Sequence, residues 1–276
     1  MFRKTCRSSL LGLLLILVAQ AYAQPGQYLQ LQKNVIVERL RQYAYENTVR
    51  GATIKRLFED AGCRGNQLED QPVSDSAAPN VICTLAGSGN RVILVGAHFD
   101  HVQKGEGVVD NWSGASLLPS LYESLSSKPR KHTYIFISFT DEEKGFIGSS
   151  YYADQLAPDE AARIQAMINL DTLGLGPTEV WVSNSDPELV NQIDSVASEM
   201  NIPIRVMNVD GIGDSDGKSF KERNIPIITL HSVPPKNLSI LHSKRDNLAA
   251  VNLDDYFDSY KLIAAYLAVL DSALEK

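Results

Sequence analysis

The sequence lacks any apolar run of about 20 residues beyond residue 25, which is the length that a bilayer-spanning helix needs. We therefore expect no internal membrane span. A block of basic residues is also missing: 26 Lys and Arg stand against 33 Asp and Glu, giving a formal net charge of −7. That balance disfavours binding to nucleic-acid phosphates. The 276 residues are 44% hydrophobic and 21% charged, which is typical of a globular protein.

The first 23 residues differ in pattern from the rest of the chain. A basic start is followed by a short apolar stretch and a small-x-small cleavage motif: Arg3, Lys4 and Arg7, then 10–18, then Ala21-Tyr22-Ala23. This order predicts a cleavable signal peptide over 1–23 and a secreted or periplasmic single domain over 24–276. A membrane anchor is the alternative, but the apolar stretch is short for one.

Cysteine is scarce, with three in the chain. Cys6 would leave with the signal peptide, so Cys63 and Cys83 would remain in the mature domain. An even pair in an exported protein favours a disulfide between them. Two buried free thiols are the alternative, because free cysteine is common in protein cores.

Alternating apolar segments predict an α/β fold. The runs over 92–97, 134–139 and 226–230 are almost wholly apolar, as in strands that are covered on both faces. We therefore predict a mostly parallel sheet between helix layers. A Gly-Ser-Gly-Asn segment separates the apolar runs 81–85 and 91–97, which predicts a hairpin.

Weaker patterns complete the expected order of elements. Helices are expected over 27–45, 49–61, 187–200 and 253–274, with others beginning after Ser113 and near Ile147. Further strands are expected over 166–170, 179–183 and 203–207, and the polar stretch 64–79 is expected to be a loop.

Histidine and carboxylate side chains collect where the buried strands end. Open α/β sheets bind ligands at the carboxyl ends of their strands. Five places along this chain supply such residues: His98 with Asp100, Asp110 in the loop that follows, Asp141 to Glu143, Asp171, and His231 with His242 eleven residues on. The sequence therefore predicts a polar cleft at this edge of the sheet.

A bound cation would relieve the repulsion among several carboxylates in one cleft. Two imidazoles with three carboxylates suit zinc better than calcium or magnesium, which prefer oxygen ligands alone. Each element by itself has an ordinary explanation: a Glu-Glu pair is often a solvated helix face, and a lone Asp at a strand end is often an N-cap. Their joint occurrence in this order favours a metal site.

Local spacing predicts two further roles. His98 and Asp100 are two residues apart, so both side chains point to one side of an extended segment. Asp100 can then brace the ring nitrogen of His98 that does not face the metal. Glu142 and Glu143 are adjacent and diverge, so one can bind metal while the other acts as a general base toward the attacking water.

Five separated motifs together resemble the secreted two-zinc aminopeptidases, in the zinc exopeptidase superfamily that also contains glutamate carboxypeptidase and glutaminyl cyclase relatives. The motifs are Gly96-Ala97-His98-Phe99-Asp100-His101, Gly107-Val108-Val109-Asp110-Asn111-Trp112-Ser113-Gly114, Thr140-Asp141-Glu142-Glu143-Lys144-Gly145, Asn169-Leu170-Asp171 and Leu241-His242-Ser243. The resemblance covers about residues 80–250. It implies a three-layer αβα sandwich with a central, mostly parallel mixed β-sheet, here a zinc peptidase catalytic domain over 24–276.

The resemblance implies two Zn²⁺ ions and a set of metal ligands. Asp110 would bridge the two ions. His98 and Asp171 would complete one site, and Glu143 and His242 would complete the other.

The catalytic residues that the resemblance implies are Glu142 as general base and Asp100 as the group that orients His98. Glu142 would take a proton from the attacking water and pass it to the leaving amine. A cis peptide is expected between Asp110 and Asn111.

Departures from the family pattern concern the substrate side of the site. Many members have Ser-Asp-His where this chain has Ser215-Asp216-Gly217, and some have an oxyanion-stabilising Tyr where it has Ile212-Gly213. His231 stands at a strand end where relatives often have another residue. We hypothesise that His231 lines the substrate pocket and donates to the oxyanion; a buried structural His is the alternative.

The preferred interpretation is a secreted zinc exopeptidase, an aminopeptidase whose substrates are peptides with a free N-terminus. A glutaminyl cyclase is the second interpretation, although such relatives work with one zinc and tend to have Trp where this chain has Leu241. A non-catalytic scaffold is the third, although scaffolds of this type lose ligands or the general base. Carboxypeptidase or dipeptidase specificity, the preferred side chain and the oligomeric state stay open.

Overall fold

The computed structural model describes residues 28–208 and 213–274. The predicted signal peptide over 1–23 and Ile212 lie outside the described residues. The strands of the sheet are β1 (Leu68–Gln71), β2 (Asn80–Leu85), β3 (Val92–His98), β4 (Thr133–Phe139), β5 (Ile164–Leu170), β6 (Thr178–Trp181), β7 (Ile204–Met207) and β8 (Ile227–His231).

The strands form one mixed sheet in the order β1-β2-β4-β3-β5-β8-β6-β7. The four central strands, β4, β3, β5 and β8, run parallel, and β6 pairs parallel with β7. β1, β2 and the β6–β8 pair supply the antiparallel contacts. The predicted mostly parallel mixed sheet is confirmed.

Helices cover both faces of the sheet. They are α1 (Lys33–Leu40), α2 (Asn47–Asp60), α3 (Ser113–Ser126), α4 (Ile147–Gln155), α5 (Pro158–Ala161), α6 (Pro187–Met200), α7 (Gly217–Lys221) and α8 (Leu253–Ala273). Helices α1, α2, α3, α6 and α8 pack in the larger apolar core, and α4 and α7 contribute to the smaller one. The predicted three-layer αβα sandwich is confirmed.

The central strands are apolar on both faces because each face has its own helix layer. Along β3, Ile93 and Val95 belong to the larger core, whereas Val92 and Leu94 belong to the smaller one. This alternation follows from the two-residue period of a strand. It leaves the strand ends as the places where polar side chains can face a cleft.

The predicted hairpin between 81–85 and 91–97 is wrong. β4 lies between β2 and β3, pairing antiparallel with β2 and parallel with β3. The connecting segment does not form a tight turn, because Ser88 N–H donates to Arg130 O at 2.8 Å and Gly89 N–H to Lys131 O at 2.8 Å. It therefore crosses over the chain that leads into β4.

Two boundaries near the start of the described chain also differ from expectation. The helix predicted over 27–45 is confined to Lys33–Leu40. The stretch 64–79, expected to be a loop, contains β1, whose residues are half-buried or exposed. A short, polar edge strand carries little apolar periodicity, so the sequence pattern gives no signal for it.

The disulfide between Cys63 and Cys83 is confirmed. It joins the segment after α2 to β2, and both cysteines are fully buried. No helix among residues 28–208 and 213–274 combines the length and apolar character needed to cross a bilayer.

Candidate metal centre and active site

His98 and Asp171 come from neighbouring parallel strands. His98 is the last residue of β3, and Asp171 directly follows β5. The two strands are paired up to Gly96 and Asn169, so their carboxyl ends lie side by side. The Nε2 atom of His98 lies 3.6 Å from Oδ1 of Asp171.

Asp110 lies in an irregular helical turn, Val108–Trp112, just before α3. The peptide bond between Asp110 and Asn111 is cis, which confirms the expectation. The Asn111 side chain ties this turn to the end of β5: its Nδ2 donates to Leu170 O at 2.9 Å and its Oδ1 accepts from Thr172 N at 3.1 Å. These bonds bring Asp110 beside Asp171.

Glu142 and Glu143 occupy a short turn that follows β4. The backbone N–H groups of these two residues donate to the carboxylate of Asp100, at 3.0 and 3.2 Å. Asp100 therefore links the end of β3 to the turn that carries both glutamates. Its Oδ1 also lies 3.5 Å from Nδ1 of His98, and its carbonyl oxygen lies 3.2 Å from the same nitrogen.

The backbone adopts left-handed conformations at several non-glycine residues around the site, three of them next to or at predicted ligands. Asp141, Thr172 and His242 have φ values of 53°, 56° and 51°. Non-glycine residues rarely occupy this region, and such positions cluster at functional sites. Here they lie directly before the glutamates, directly after Asp171 and at the last histidine.

The two oxygens of the Asp110 carboxylate face two different groups of side chains. Oδ1 lies 3.5 Å from His98 Nε2, in the group completed by Asp171. Oδ2 lies 3.1 Å from His242 Nε2, which is also 3.1 Å from Oε2 of Glu143. Within each group, one ligand atom from each residue lies within 4.8 Å of the others.

These donors fit zinc. With bonds of about 2.0–2.1 Å, two ligands of a tetrahedral zinc ion lie roughly 3.3 Å apart, close to the distances of 3.1 to 3.6 Å found here. Asp171 Oδ1 and Glu143 Oε1 are buried without a hydrogen-bond partner. Buried carboxylate oxygens without a donor are costly unless a cation satisfies them.

The electrostatics of the cleft favour a cation as well. Burial raises the pKa of the Glu142 carboxyl to about 9, although His98 counteracts this. Burial also raises the pKa of Asp171. For Asp110, burial acts in the same direction, but hydrogen bonds with His242 and His98 hold its pKa below its ordinary value. A divalent ion would favour the ionised form of all these groups.

A cavity of about 400 Å³ opens beside the two donor groups. The apolar part of its lining, here called the apolar wall, consists of Phe146, Trp181, Val233, Leu238 and Leu241. The five predicted ligands, His98, Asp110, Glu143, Asp171 and His242, line the same cavity, together with Glu142. The cavity therefore combines a polar reaction centre with room for an apolar side chain.

His231 lines this cavity, as hypothesised. Its Nδ1 accepts the backbone N–H of Val233 at 3.3 Å and lies 3.8 Å from Oε2 of Glu179, the residue opposite on β6. Its Nε2 is buried and has no hydrogen-bond partner. Burial lowers the pKa of His231 to about 4, so the ring is neutral at pH 7 and carries its proton on Nε2.

Three buried residues near the site were not predicted from the sequence. Asp246 accepts hydrogen bonds from the backbone N–H groups of Val109 and Asp110, at 2.7 and 3.2 Å. Both oxygens of Asp216 are buried without a partner, and burial raises its pKa to about 7. Arg50 holds the loop before Asp110. A charged residue inside an apolar helix face is the signal that could have drawn attention to Arg50.

Comparison with known proteins gives a consistent result. The model of Peptidase family M28 matches residues 80–267 of the chain. Leupeptin-inactivating enzyme 1 of Streptomyces exfoliatus is 32% identical over 184 residues, which cover 65% of this chain and 39% of that protein. The chain thus spans about two fifths of the length of this curated relative.

Solved structures share the fold at low identity. LapA aminopeptidase of Legionella pneumophila superposes with a TM-score of 0.76 at 20% identity, over 88% of this chain and 73% of that one. A glutaminyl cyclase of Porphyromonas gingivalis gives a TM-score of 0.69 at 17% identity, over 85% and 95% of the two chains. At these identities the likeness shows the fold alone.

Proposed function

The chain belongs to peptidase family M28, and on that premise we propose that it is a secreted, zinc-dependent aminopeptidase that hydrolyses the N-terminal peptide bond of its substrates. The observation that carries the proposal is the division of the Asp110 carboxylate between two groups, each with one histidine and one further carboxylate. Such a division is what a residue shared by two metal ions requires.

Two Zn²⁺ ions are the proposed cofactors. His98, Asp110 and Asp171 would hold one ion, and Asp110, Glu143 and His242 would hold the other. A zinc ion held by these residues would supply Lewis acidity, which polarises a substrate carbonyl and lowers the pKa of water. The donor distances and the unpartnered oxygens of Asp171 and Glu143 support this assignment.

Glu142 is the proposed general base. Its Oε2 lies 3.8 Å from Nε2 of His98, beside both donor groups, and it faces the cavity. In this position Glu142 can accept a proton from an attacking water and deliver it to the leaving amine. Asp100 positions this machinery, because its carboxylate bonds the backbone of Glu142 and lies against the Nδ1 side of His98.

The cavity supports a preference for an apolar N-terminal residue. The apolar wall of the cavity includes Phe146, Trp181 and Leu241. A substrate with a free N-terminus would place its first side chain against this wall and its first carbonyl beside the predicted ligands. The names of the relatives, which include aminopeptidases, support this choice of exopeptidase.

Export of the protein is part of the proposal. The signal-peptide pattern over 1–23 supports it, and a buried disulfide between Cys63 and Cys83 is typical of oxidising compartments. The mature protein would then be a single catalytic domain over 24–276.

Glutaminyl cyclisation is the second candidate, since a glutaminyl cyclase shares the fold. Two complete donor groups around Asp110 favour the peptidase, because cyclase relatives are expected to use one zinc. Leu241 before His242 also departs from the cyclase pattern. A non-catalytic scaffold is disfavoured because the predicted ligands and Glu142 line the same cavity.

The proposal is tested with the zinc-loaded mature protein and a peptide library read by mass spectrometry. We expect loss of the first residue from peptides with a free N-terminus, abolished by a chelator and restored by zinc. Glu142→Gln should lower kcat by about 10²–10⁴-fold with unchanged zinc content. Glu199→Gln, at an exposed position of α6, is the control and should leave kcat unchanged.

Two outcomes would contradict the proposal. A zinc-loaded protein that releases no residue from any library peptide would revive the scaffold interpretation. Cyclisation of peptides that begin with Gln, without hydrolysis of the others, would establish the cyclase.

A further inference from the structure

Arg50 is an arginine in α2 with no exposed surface. It precedes the residues 80–267 that match the family, so the family motifs do not include it. A buried guanidinium is costly unless all its charge and donors are compensated. The partners of Arg50 therefore indicate what it does.

The hydrogen bonds of Arg50 go to main-chain carbonyl oxygens. Its Nη1 donates to Phe99 O at 2.9 Å, and its Nη2 donates to Glu106 O at 2.9 Å and to Gly107 O at 2.7 Å. Its Nε donates to Ala44 O at 2.8 Å, and the guanidinium carbon lies 5.4 Å from the centroid of the Trp112 ring.

Three of these acceptors belong to the two ends of one loop, residues 99–107. Phe99 directly follows His98, and Gly107 lies three residues before Asp110. One planar guanidinium therefore bonds both the segment that follows His98 and the segment that precedes Asp110. The fork of N–H groups in arginine suits this task because its donors point in fixed directions.

Close packing of α2 against the loop supports the same arrangement. Gly51 follows Arg50, and a Cβ atom at Gly51 would lie 3.2 Å from Cζ of the Phe99 ring. Asn47 on the same helix accepts the backbone N–H of His101 at 3.2 Å. Helix α2 is thus held against the loop by its first turn as well as by Arg50.

A buried anion holds the opposite side of the same segment. The carboxylate of Asp246 accepts the N–H groups of Val109 and Asp110, and its carbonyl oxygen accepts the N–H of Glu106 at 2.7 Å. The guanidinium of Arg50 thus donates to carbonyl oxygens of the loop, and the carboxylate of Asp246 accepts from backbone N–H groups just after the loop. Together they restrain the main chain on both sides of Gly107.

We propose that Arg50 is a positioning residue for the metal centre, whose guanidinium holds the loop 99–107 so that His98 and Asp110 are already placed to share one ion before that ion binds. This inference rests on the proposed zinc site. It assigns a necessary part of that site to α2, outside the family-matched region. Groups that orient metal ligands typically contribute a factor of about 10–100 to metal affinity.

The test compares zinc affinity, measured by competition with a chelator, in Arg50→Lys, Arg50→Met and the wild-type protein. Lysine keeps the charge but has one nitrogen in place of the three from which Arg50 donates, and it lacks the fixed planar fork. We expect both variants to fold, as seen by circular dichroism, and to bind zinc about 10–100-fold more weakly.

Arg39 provides a matched control. It is also a buried arginine in the N-terminal helices, with 8% of its surface exposed, but it contacts Ser120 and Glu123 of α3 and not the loop. Arg39→Lys and Arg39→Met should lower the melting temperature without changing zinc affinity. If the Arg50 variants bind zinc as tightly as the Arg39 variants, Arg50 only stabilises the fold and the proposal is overturned.

A second measurement uses the wild-type protein alone. It tests whether the loop 99–107 is ordered before zinc binds, even if Arg50→Met does not fold. Hydrogen exchange of the metal-free wild-type protein should show protected amides over 99–110, with little further protection on adding zinc. A loop that becomes protected only when zinc binds would overturn the proposal. A protein that binds no zinc at all would instead overturn the proposed function, and the two failures are thus distinguishable.

Discussion

The carboxylate of Asp246 accepts the backbone N–H of Asp110 at 3.2 Å. Asp246 lies four residues after His242, so the loop that carries His242 also holds the main chain of Asp110. The neighbouring N–H of Val109 bonds the same carboxylate at 2.7 Å. Gly105 permits the close approach of the two loops. Its φ is 94°, and a Cβ atom at this position would lie 2.2 Å from the carbonyl oxygen of Ser243. The loops that carry Asp110 and His242 are therefore packed and hydrogen-bonded to each other.

Asp246→Asn should lower zinc affinity by about 10–100-fold, because an amide NH₂ cannot accept the N–H bond that one carboxylate oxygen receives. Chelator competition measures the effect. Asp254→Asn, at an exposed position in the first turn of α8, is the control. Equal zinc affinity in the two variants would show that Asp246 does not hold the metal loop.

The division of Asp110 between two groups predicts a separable zinc stoichiometry. The wild-type protein should hold about two zinc ions per chain. His242→Ala should hold about one, since it removes a donor from the group with Glu143 and leaves His98 and Asp171 intact.

Elemental analysis after dialysis checks this stoichiometry. His132→Gln is the control, because buried His132 faces Asp271 at 3.4 Å and belongs to neither donor group. A His242→Ala protein that retains two ions would contradict the ligand assignment.

His231→Ala should lower kcat/KM by roughly 10²–10³-fold if its Nε2 proton stabilises the developing oxyanion. The ring is neutral above about pH 5, because burial lowers its pKa to about 4. The loss should therefore be the same at pH 6 and pH 9. His231→Gln, which keeps a neutral donor, should recover part of the activity.

Steady-state kinetics separate this role from simple packing. Leu238→Ala, on the apolar wall of the same cavity, should raise KM with little change in kcat. If His231→Ala behaves in the same way, or leaves kcat/KM unchanged, His231 is a structural residue and not an oxyanion donor.

Loss of the disulfide should destabilise the protein. Cys63 and Cys83 are separated by 20 residues, and closing a loop of that length stabilises the fold by about 3 kcal/mol in the chain-entropy model. A double Cys63→Ser, Cys83→Ser variant should therefore unfold at lower urea concentration, with zinc content unchanged. An unchanged urea midpoint would contradict this.

The sequence predicted the architecture because its signals are local. The central strands are apolar on both faces and the helices are periodic, so their types follow from patterns within each segment. The predicted hairpin was wrong for a related reason: β2 pairs with β1 and with β4, and no local pattern identifies β4, which lies more than 45 residues away, as its neighbour in place of β3. The strand β1 was missed because its exposed residues carry no apolar alternation.

The predicted ligands were identifiable because each lies in a recognisable motif at or near a strand end, and the structure brings all five into two adjoining groups. Their metal-binding roles stay predictions. Arg50 and Asp246 could not be identified in the same way, because their partners are main-chain atoms. Every residue has such atoms, so the residue types in the sequence do not indicate which of them Arg50 and Asp246 contact.

The sequence by itself determined the family, the layered fold and the donor types at the sheet edge, since these follow from residue chemistry and the periods of helix and strand. Only the tertiary structure decided which strands are neighbours, which oxygen of Asp110 faces which histidine, and which buried charges hold its loop. Those features depend on distances between residues far apart in the chain, and such distances are set by packing of the whole domain.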